Sequence, residues 1–124
     1  MALLAQGLRQ CPHLGELDLS LNKRVTWRGV AAIQQLLDTR TIARRLPEQS
    51  LCGPGSAALR ELRLNGVPVG GAGAKLLADA LQHNSELQLL ALQECDIDAA
   101  GAHALGAMLR GNRALKSLLL GWNR

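Results

Sequence analysis

The sequence has no phenylalanine and no tyrosine, and its 124 residues include only two aromatic side chains, Trp27 and Trp122. A globular core usually takes much of its bulk from aromatic rings. Hydrophobic residues still make up 48% of the chain, which allows a buried core and excludes disorder by composition. Leucine and alanine must therefore fill the interior, as in a core built from many similar layers.

Cysteine is scarce as well. The chain has three, Cys11, Cys52 and Cys95, and no CxxC or other paired spacing connects them. The first residues lack the basic start and the long apolar run of a signal peptide, and no asparagine stands in an N-glycosylation motif. We therefore expect an intracellular, cytoplasmic protein.

Long apolar runs and strong charge are also missing. No stretch of 18 apolar residues is present, so the sequence predicts no membrane span. The net charge of +4 is mild, and the dense basic run of Arg40, Arg44 and Arg45 has no aromatic neighbour. Nucleic-acid binders usually combine clustered cations with stacking aromatics. We predict neither a membrane nor a nucleic acid as a partner.

Catalytic and metal-binding patterns are lacking too. Residues 69–75 superficially resemble a phosphate-binding loop, but Leu76 stands where that motif needs Ser or Thr after Lys75. Cys11 and His13 flank a proline and have no evident acidic partner. The histidines and cysteines share no metal-ligand spacing. We predict no catalytic residue, no metal, no cofactor and no enzymatic activity.

A leucine pattern recurs along the chain. Its copies begin at Leu14, Leu59, Leu87 and Leu115, and 28 residues separate the starts of the last three. Counting from its first leucine, each copy has leucine at positions 1, 4 and 6. Position 9 is held in turn by Asn22, Val67, Cys95 and Asn123. Repetition at such a period is typical of stacked repeat proteins.

The segments between these motifs repeat as well. Gly73 and Gly101 are 28 residues apart, and alanine and leucine follow them at three- and four-residue intervals. Small alanines would let each helix pack close to the strands. Asn84 and Asn112 follow the last periodic leucines, where asparagine tolerates the left-handed conformation that ends a helix. Each copy therefore predicts a strand, a loop and a helix.

The pattern also predicts how the copies assemble. One copy cannot cover its own leucines, so neighbours stack, and the returning helices make the strands parallel. Strands are thinner than helices, so the stack curves with the strands on its concave side. An Asn or Cys at position 9 ties neighbouring loops together by hydrogen bonds, which Val67 cannot make. We expect a weaker junction there.

The 28-residue period, the Asn or Cys at position 9 and the Gly-Ala helix opening resemble the ribonuclease-inhibitor-like leucine-rich repeats. The resemblance implies an α/β leucine-rich-repeat solenoid, a right-handed superhelix with parallel strands on the concave face and helices on the convex face. Similar repeats form the sensing arms of nucleotide-binding innate immune receptors and occur in cytoplasmic scaffolds.

The pattern is interrupted in one place and at both ends. The first two copies start 45 residues apart, so residues 39–56 form an insertion, interpreted either as an excursion without function or as a basic binding loop. Ile42, Ala43 and Leu46 could extend the preceding helix. Residues 1–124 are interpreted as one repeat segment, incomplete at both ends. The uncapped ends predict self-association.

The outward strand positions supply candidate contact residues. Charge lies in the first two strands and apolar character in the last two. Leu89, Leu119 and Trp122 are the sharpest candidates, since tryptophan often dominates binding energy, although Trp122 could instead pack on a further repeat. Asp18 and Arg63 are expected to pair with each other. The predicted protein-binding residues are Glu16, Asp18, Glu61, Arg63, Leu89, Gln93, Leu119 and Trp122.

These observations predict a scaffold that binds a protein through its concave face, as part of a larger regulatory or sensor protein. A second interpretation is a purely structural segment that stabilises a longer horseshoe and has no ligand. A third is an accessory segment of an enzyme whose catalytic domain lies elsewhere.

Overall fold

Helices and short strands alternate along the chain in the computed structural model, which describes residues 2–9, 11, 13–45 and 59–124. The elements in order are α1 (Ala2–Arg9), β1 (Glu16–Asp18), α2 (Trp27–Arg45), β2 (Glu61–Arg63), α3 (Gly70–Leu81), β3 (Leu89–Ala91), α4 (Ala99–Gly111) and β4 (Ser117–Leu119). We call the units that start at Leu14, Leu59, Leu87 and Leu115 repeats 1 to 4.

The strands form one parallel sheet in the order β1-β2-β3-β4. Leu17 pairs in register with Leu62, Leu62 with Leu90, and Leu90 with Leu118. The leucines at position 4 therefore form one continuous row. The predicted α/β leucine-rich-repeat solenoid is confirmed.

The burial of this row follows from the stacking. Leu62 and Leu90 are 0% exposed, because each has a repeat on both sides. Leu17 and Leu118 are only partly buried, since each has a described repeat on one side. Burying one leucine fully stabilises the fold by about 1.5–3 kcal/mol, so the inner repeats gain most from the stack.

Small residues set how closely the helices pack. Ala74, Ala78 and Ala80 of α3 are buried. At Gly101, a Cβ atom would lie 3.0 Å from the Cα of Gly71 and 3.1 Å from the Cβ of Ala74. Glycine at this helix opening therefore allows α4 to approach α3 closely.

The predicted role of Asn84 and Asn112 is wrong. Neither has a left-handed backbone, and Asn112 is extended, with φ −79° and ψ 123°. Both side chains are buried and fasten the turn into the next strand. Asn84 Oδ1 accepts hydrogen bonds from the amides of Glu86 and Leu87, and Asn112 Oδ1 accepts from the amides two and three residues further on.

Every repeat instead has a left-handed residue at position 8, where its strand ends, and Gly70 and Asp96 are left-handed as well. Leu21, Gly66, Glu94 and Trp122 have φ angles of 65°, 71°, 54° and 61°. Regular alternation would point position 8 into the stack and position 9 outward. The left-handed residue reverses this order, so that the side chain at position 9 reaches the interior.

Side chains at position 9 connect neighbouring repeats to different extents. Asn123 Nδ2 donates to the carbonyl of Leu92 at 2.7 Å, and its Oδ1 accepts from the amides of Cys95 and Ile97. Cys95 Sγ donates to the carbonyl of Leu64 at 3.0 Å. Val67 is fully buried and has no donor. Its predicted weakening of the junction between repeats 1 and 2 stays a prediction.

The helix of repeat 1 is the longest in the described part of the chain. Its backbone stays helical as far as Arg45. The remainder of the predicted insertion, residues 46–56, lies outside the described residues, and so does Cys52.

Candidate functional site on the strand surface

The outward strand residues form one continuous surface, here called the strand surface. It consists of positions 3, 5, 7 and 8 of each repeat, brought side by side by the parallel register. All eight of the predicted contact residues belong to it. Those at positions 3, 5 and 7 lie on one face because alternate residues of a strand point to the same side, and Trp122, at position 8, faces outward on its left-handed backbone.

Charged side chains lie on the first two strands. The Arg63 guanidinium contacts the carboxylate of Glu61 at 2.6 Å and that of Glu16 at 4.0 Å. Asp18 is the in-register neighbour of Arg63, as predicted, but the predicted ion pair between them is wrong. Arg63 instead reaches along its own strand and across to Glu16.

Asp18 is held by its own repeat. Its Oδ1 accepts a hydrogen bond from the Ser20 amide at 2.9 Å. Hydrogen bonds from Ser20 lower the pKa of Asp18, and the charge of Arg63 lowers it to a smaller degree. The carboxylate is exposed and stays ionised at neutral pH, so the β1 end of the strand surface carries a negative charge.

Apolar side chains lie on the last two strands. Leu119 is 42% exposed and Trp122 is 85% exposed, while Leu89 is partly buried. Ala91 occupies an outward strand position too, but it is 1% exposed. Its in-register neighbours on the adjacent strands are Arg63 and Leu119, whose side chains are much longer than a methyl group.

Trp122 is unfavourable for the isolated fold in two ways. Its indole is almost fully exposed, and its backbone has a φ of 61°. A left-handed conformation costs a residue other than glycine roughly 1–2 kcal/mol. Since every repeat has a left-handed residue at position 8, this conformation is a feature of the repeat, and the exposed indole is what distinguishes Trp122.

Side chains at position 7 organise the backbone beneath the strand surface. Ser20 Oγ accepts from the Asn65 amide at 3.2 Å, and Asn65 Oδ1 accepts from the Gln93 amide at 2.9 Å. Gln93 lies beside Gly121, where a Cβ would be 3.1 Å from its Nε2. Sequence reasoning missed this row of bonds, although polar residues at position 7 of three successive repeats were its signal.

Leu21 was also missed as a candidate contact residue. It is 73% exposed and left-handed, like Trp122 at the same position of repeat 4. The signal in the sequence was an apolar side chain at a position that the strand pattern places at the strand end.

The thiol of Cys95 is structural. It is buried and donates to the carbonyls of Leu64 and Gln93. Burial raises the pKa of Cys95, whereas a reactive cysteine needs a lowered one. Among the described residues, no group of three or more His, Cys, Asp or Glu side chains could hold a metal ion. No helix in the same part of the chain is both long and apolar enough to cross a membrane.

Comparison with known proteins gave matches to one kind of repeat. A family model described as a leucine-rich repeat matches residues 10–33. The chain is 36% identical over 111 residues to leucine-rich repeat-containing protein 45 of Gallus gallus, covering 82% of this chain and 16% of that protein. It is 36% identical over 134 aligned positions to the ribonuclease inhibitor of Sus scrofa, covering 98% of this chain and 29% of the inhibitor. The chain thus spans less than a third of the length of these relatives.

The fold is also found among solved structures. The actin-binding site 2 of leiomodin-1 superposes with a TM-score of 0.77 over 97% of this chain and 61% of the other. The two sequences are only 16% identical, so the likeness concerns the fold alone.

Proposed function

Because the chain belongs to the leucine-rich repeat family, with repeats of the ribonuclease-inhibitor-like kind, we propose that it is a scaffold that binds a partner protein through its strand surface. This surface is the concave face of the predicted solenoid. The observation that carries the proposal is Trp122, a large apolar side chain that is 85% exposed on a left-handed backbone.

The position of Trp122 beside Leu119 supports a contact with a protein. Interface hot spots are enriched in tryptophan and surrounded by contacts that exclude water. Leu119 and Leu89 supply apolar neighbours, and Gln93 supplies an amide beside them. The charged residues Glu16 and Asp18, at the other end of the surface, would orient a partner rather than hold it, since exposed charges contribute little affinity.

The similar proteins support a binding role by their names. One is a ribonuclease inhibitor, and another is an actin-binding segment of leiomodin-1. Neither name identifies the partner of this chain. We also propose that the chain is part of a larger regulatory or sensor protein, such as the arm of an innate immune receptor. This part of the proposal is supported by the resemblance of the repeats. A cytoplasmic location is proposed with it, supported by the buried, hydrogen-bonded thiol of Cys95.

One observation favours the second function, a structural segment without a ligand. Leu21 occupies the same position as Trp122, and its Cδ2 lies 3.0 Å from where a Cβ of Gly66 would be. Leu21 thus packs over the loop of the following repeat. Trp122 could cover a further repeat in the same way, and its exposure would then report an uncovered packing face.

Two matched substitutions separate these functions. Leu119 on β4 and Leu109 on α4 are 42% and 43% exposed, so Leu119→Ser and Leu109→Ser remove similar side chains from opposite faces. Partners would be captured on the immobilised full chain from its own cells and identified by mass spectrometry. Binding of each purified partner would then be measured by calorimetry, and folding by thermal unfolding.

The scaffold proposal expects the doubly substituted Leu119→Ser/Trp122→Ser to lose its partner and keep its melting temperature. Truncating a central interface tryptophan typically costs about 2–4 kcal/mol, or roughly 30- to 1000-fold in Kd. Leu109→Ser should bind as the unsubstituted chain does. A partner that binds the doubly substituted chain equally well contradicts the proposal, and a lower melting temperature without loss of binding favours the structural function.

A further inference from the structure

The loops that leave the strands differ in charge from repeat to repeat. We call residues 21–28, 66–71 and 94–99 the exit loops of repeats 1, 2 and 3. The first contains three cations and no acid, the second has no charged residue, and the third contains three acids and no cation. All six charged side chains are exposed: Lys23, Arg24, Arg28, Glu94, Asp96 and Asp98.

The cations of the first exit loop have no acidic partner among the residues that the structure describes. In residues 13–45 and 59–124, no ion pair involves Lys23, Arg24 or Arg28. Arg28 lies over the ring of Trp27, with its Cζ 5.6 Å from the ring centroid. These cations flank the N-terminus of α2, where the helix dipole disfavours positive charge. An approaching anionic group would therefore be attracted by all of them.

The acids of the third exit loop are only partly engaged. Asp96 lies 3.7 Å from Arg124, and both side chains are well exposed. Asp98 Oδ1 accepts from the Gly101 amide and so begins α4, while Glu94 is exposed. Neighbouring parallel strands are about 4.8 Å apart, so the first and third loops are separated by about 10 Å at the sheet. Opposite charges at that distance do not pair directly.

An apolar contact lies between the two charged loops. Leu21 is 73% exposed, and its side chain leans over Gly66 in the uncharged second loop. A Cβ at Gly66 would lie 3.0 Å from the Leu21 Cδ2, and the backbone there has a φ of 71°, so glycine keeps this approach open. The exit loops therefore present an apolar centre with cations on one side and acids on the other.

A second copy turned end to end would place its acids opposite these cations and its cations opposite these acids. We propose that the exit loops form the interface of a twofold dimer of this chain. A twofold axis beside the second loop would bring Lys23 and Arg24 of one copy against Glu94 and Asp96 of the other, and the reverse. The two Leu21 side chains would meet near the axis, over Gly66. Such an isologous contact is closed at two copies.

The proposed interface consists of three short segments from each copy, and small interfaces are typical of transient complexes. We therefore expect a weak dimer, with a Kd on the order of 10–100 μM. Charge pairs at an exposed contact are screened by salt, with a Debye length of about 10 Å at 0.1 M and about 3 Å at 1 M. Dimerisation should therefore weaken as ionic strength rises.

Charge reversal gives a decisive test with the full chain. Lys23→Glu/Arg24→Glu makes both outer loops acidic, and Glu94→Lys/Asp96→Lys makes both basic. Sedimentation equilibrium at low salt should show the unsubstituted chain in a monomer-dimer equilibrium and each variant alone as a monomer. An equimolar mixture of the two variants should form a one-to-one heterodimer, because each acidic loop then faces a basic one.

Three further measurements test the effects of net charge, of the apolar centre and of folding. Lys75→Glu/Arg110→Glu makes the same change in net charge on exposed helical residues and should dimerise normally. Leu21→Ser should weaken the dimer about tenfold, as expected for removing an apolar centre. Circular dichroism must show the same fold for every variant that is scored.

Several results would overturn the proposal. The first is an unsubstituted chain that stays monomeric at protein concentrations up to about ten times the expected Kd. The others are a mixture of the two charge variants that stays monomeric, and association beyond two copies. If the unsubstituted chain is monomeric but both charge variants lose a captured protein, the exit loops bind that protein instead of a second copy.

Discussion

Repeats 2 to 4 are joined by side-chain hydrogen bonds that the junction between repeats 1 and 2 lacks at position 9. The strand register is the same throughout, with three residues paired in each neighbouring couple. Asn123 bonds three backbone groups of repeat 3, Cys95 bonds one of repeat 2, and Val67 has no group to donate. Backbone pairing therefore sets the alignment of the stack, and the number of hydrogen bonds at position 9 differs from one junction to the next.

The helix side adds a second connection between repeats 2 and 3. Asn112 Nδ2 donates to the carbonyls of Leu81 and Asn84 at 2.7 and 3.2 Å, across 31 and 28 residues of sequence. The same side chain caps its own turn. One buried amide thus holds two successive helix ends at a fixed separation.

Removing Asn112 should produce the largest loss. Asn112→Ala leaves the carbonyl of Asn84 and two amides without a protein partner in a largely buried turn. It also removes one of the two hydrogen bonds to the carbonyl of Leu81. Unsatisfied buried groups cost about 1–3 kcal/mol each when water cannot reach them, and partial hydration should limit the total to about 3 kcal/mol. Urea denaturation would measure the change in the free energy of unfolding.

Asn22→Ala is the matched control for this prediction. Asn22 is exposed, and its Nδ2 donates to the carbonyls of Leu19 and Ser20 within its own repeat. Water can replace those bonds, so the loss should stay below about 1 kcal/mol. Equal losses for the two alanine variants would show that the bridge between repeats 2 and 3 adds nothing.

The sequence predicted the parts of the fold that depend on spacing. The 28-residue period placed Leu62, Leu90 and Leu118 in one row, and alternation placed Glu61 and Arg63 on the same face. Both follow from the geometry of a strand, which a residue count captures.

The sequence did not predict features that depend on backbone angles or on competing partners. Asn84 and Asn112 could end a helix or cap the next turn, and periodicity does not distinguish the two. Arg63 had three carboxylates within reach, and its contact with Glu61 depends on side-chain conformation. The burial of Ala91 at an outward strand position depends on the side chains around it, which a residue count does not capture.

Replacing Asn123 should make the last junction resemble the first. Asn123→Val removes the acceptor of the Cys95 and Ile97 amides and a donor to Leu92. Three partly exposed hydrogen bonds at about 0.5–1 kcal/mol each predict a loss of about 2 kcal/mol. Hydrogen exchange of the Cys95 and Ile97 amides should accelerate, while that of Leu64 should not. Unchanged exchange at Cys95 and Ile97 would show that the hydrogen bonds at position 9 do not determine the strength of a junction.

The opposite substitution should add hydrogen bonds to the first junction with little net change in stability. In Val67→Asn, the new side chain would face the amides of Asn22 and Arg24. These two residues have the same repeat positions as Cys95 and Ile97, whose amides bond Asn123. Losing a buried valine costs about 1.5–2 kcal/mol, and three hydrogen bonds at about 0.5–1 kcal/mol each offset most of it. The free energy of unfolding should change by about 1 kcal/mol or less, with slower exchange at Asn22 and Arg24. Val67→Ala, which offers no hydrogen bond, should lose the apolar contribution without slowing either amide.

The middle junction, at Cys95, should respond to pH in a way that neither Val67 nor Asn123 can. Burial raises the pKa of Cys95 in the folded chain. The thiol of the unfolded chain therefore ionises first as the pH rises, and ionisation favours unfolding. Cys95→Ser keeps a donor for Leu64 but does not ionise in this range, so at pH 7 it should differ from the unsubstituted chain by about 1 kcal/mol or less. Above about pH 8.5, the usual pKa of a thiol, the unsubstituted chain should lose stability relative to the serine variant. Urea denaturation of both proteins at pH 7 and pH 10 measures the two differences, and Cys11 and Cys52 are common to both. A difference that stays constant between these pH values would mean that the Cys95 thiol is no harder to ionise in the fold than in the unfolded chain. The middle junction would then no longer rank between the junctions at Val67 and Asn123.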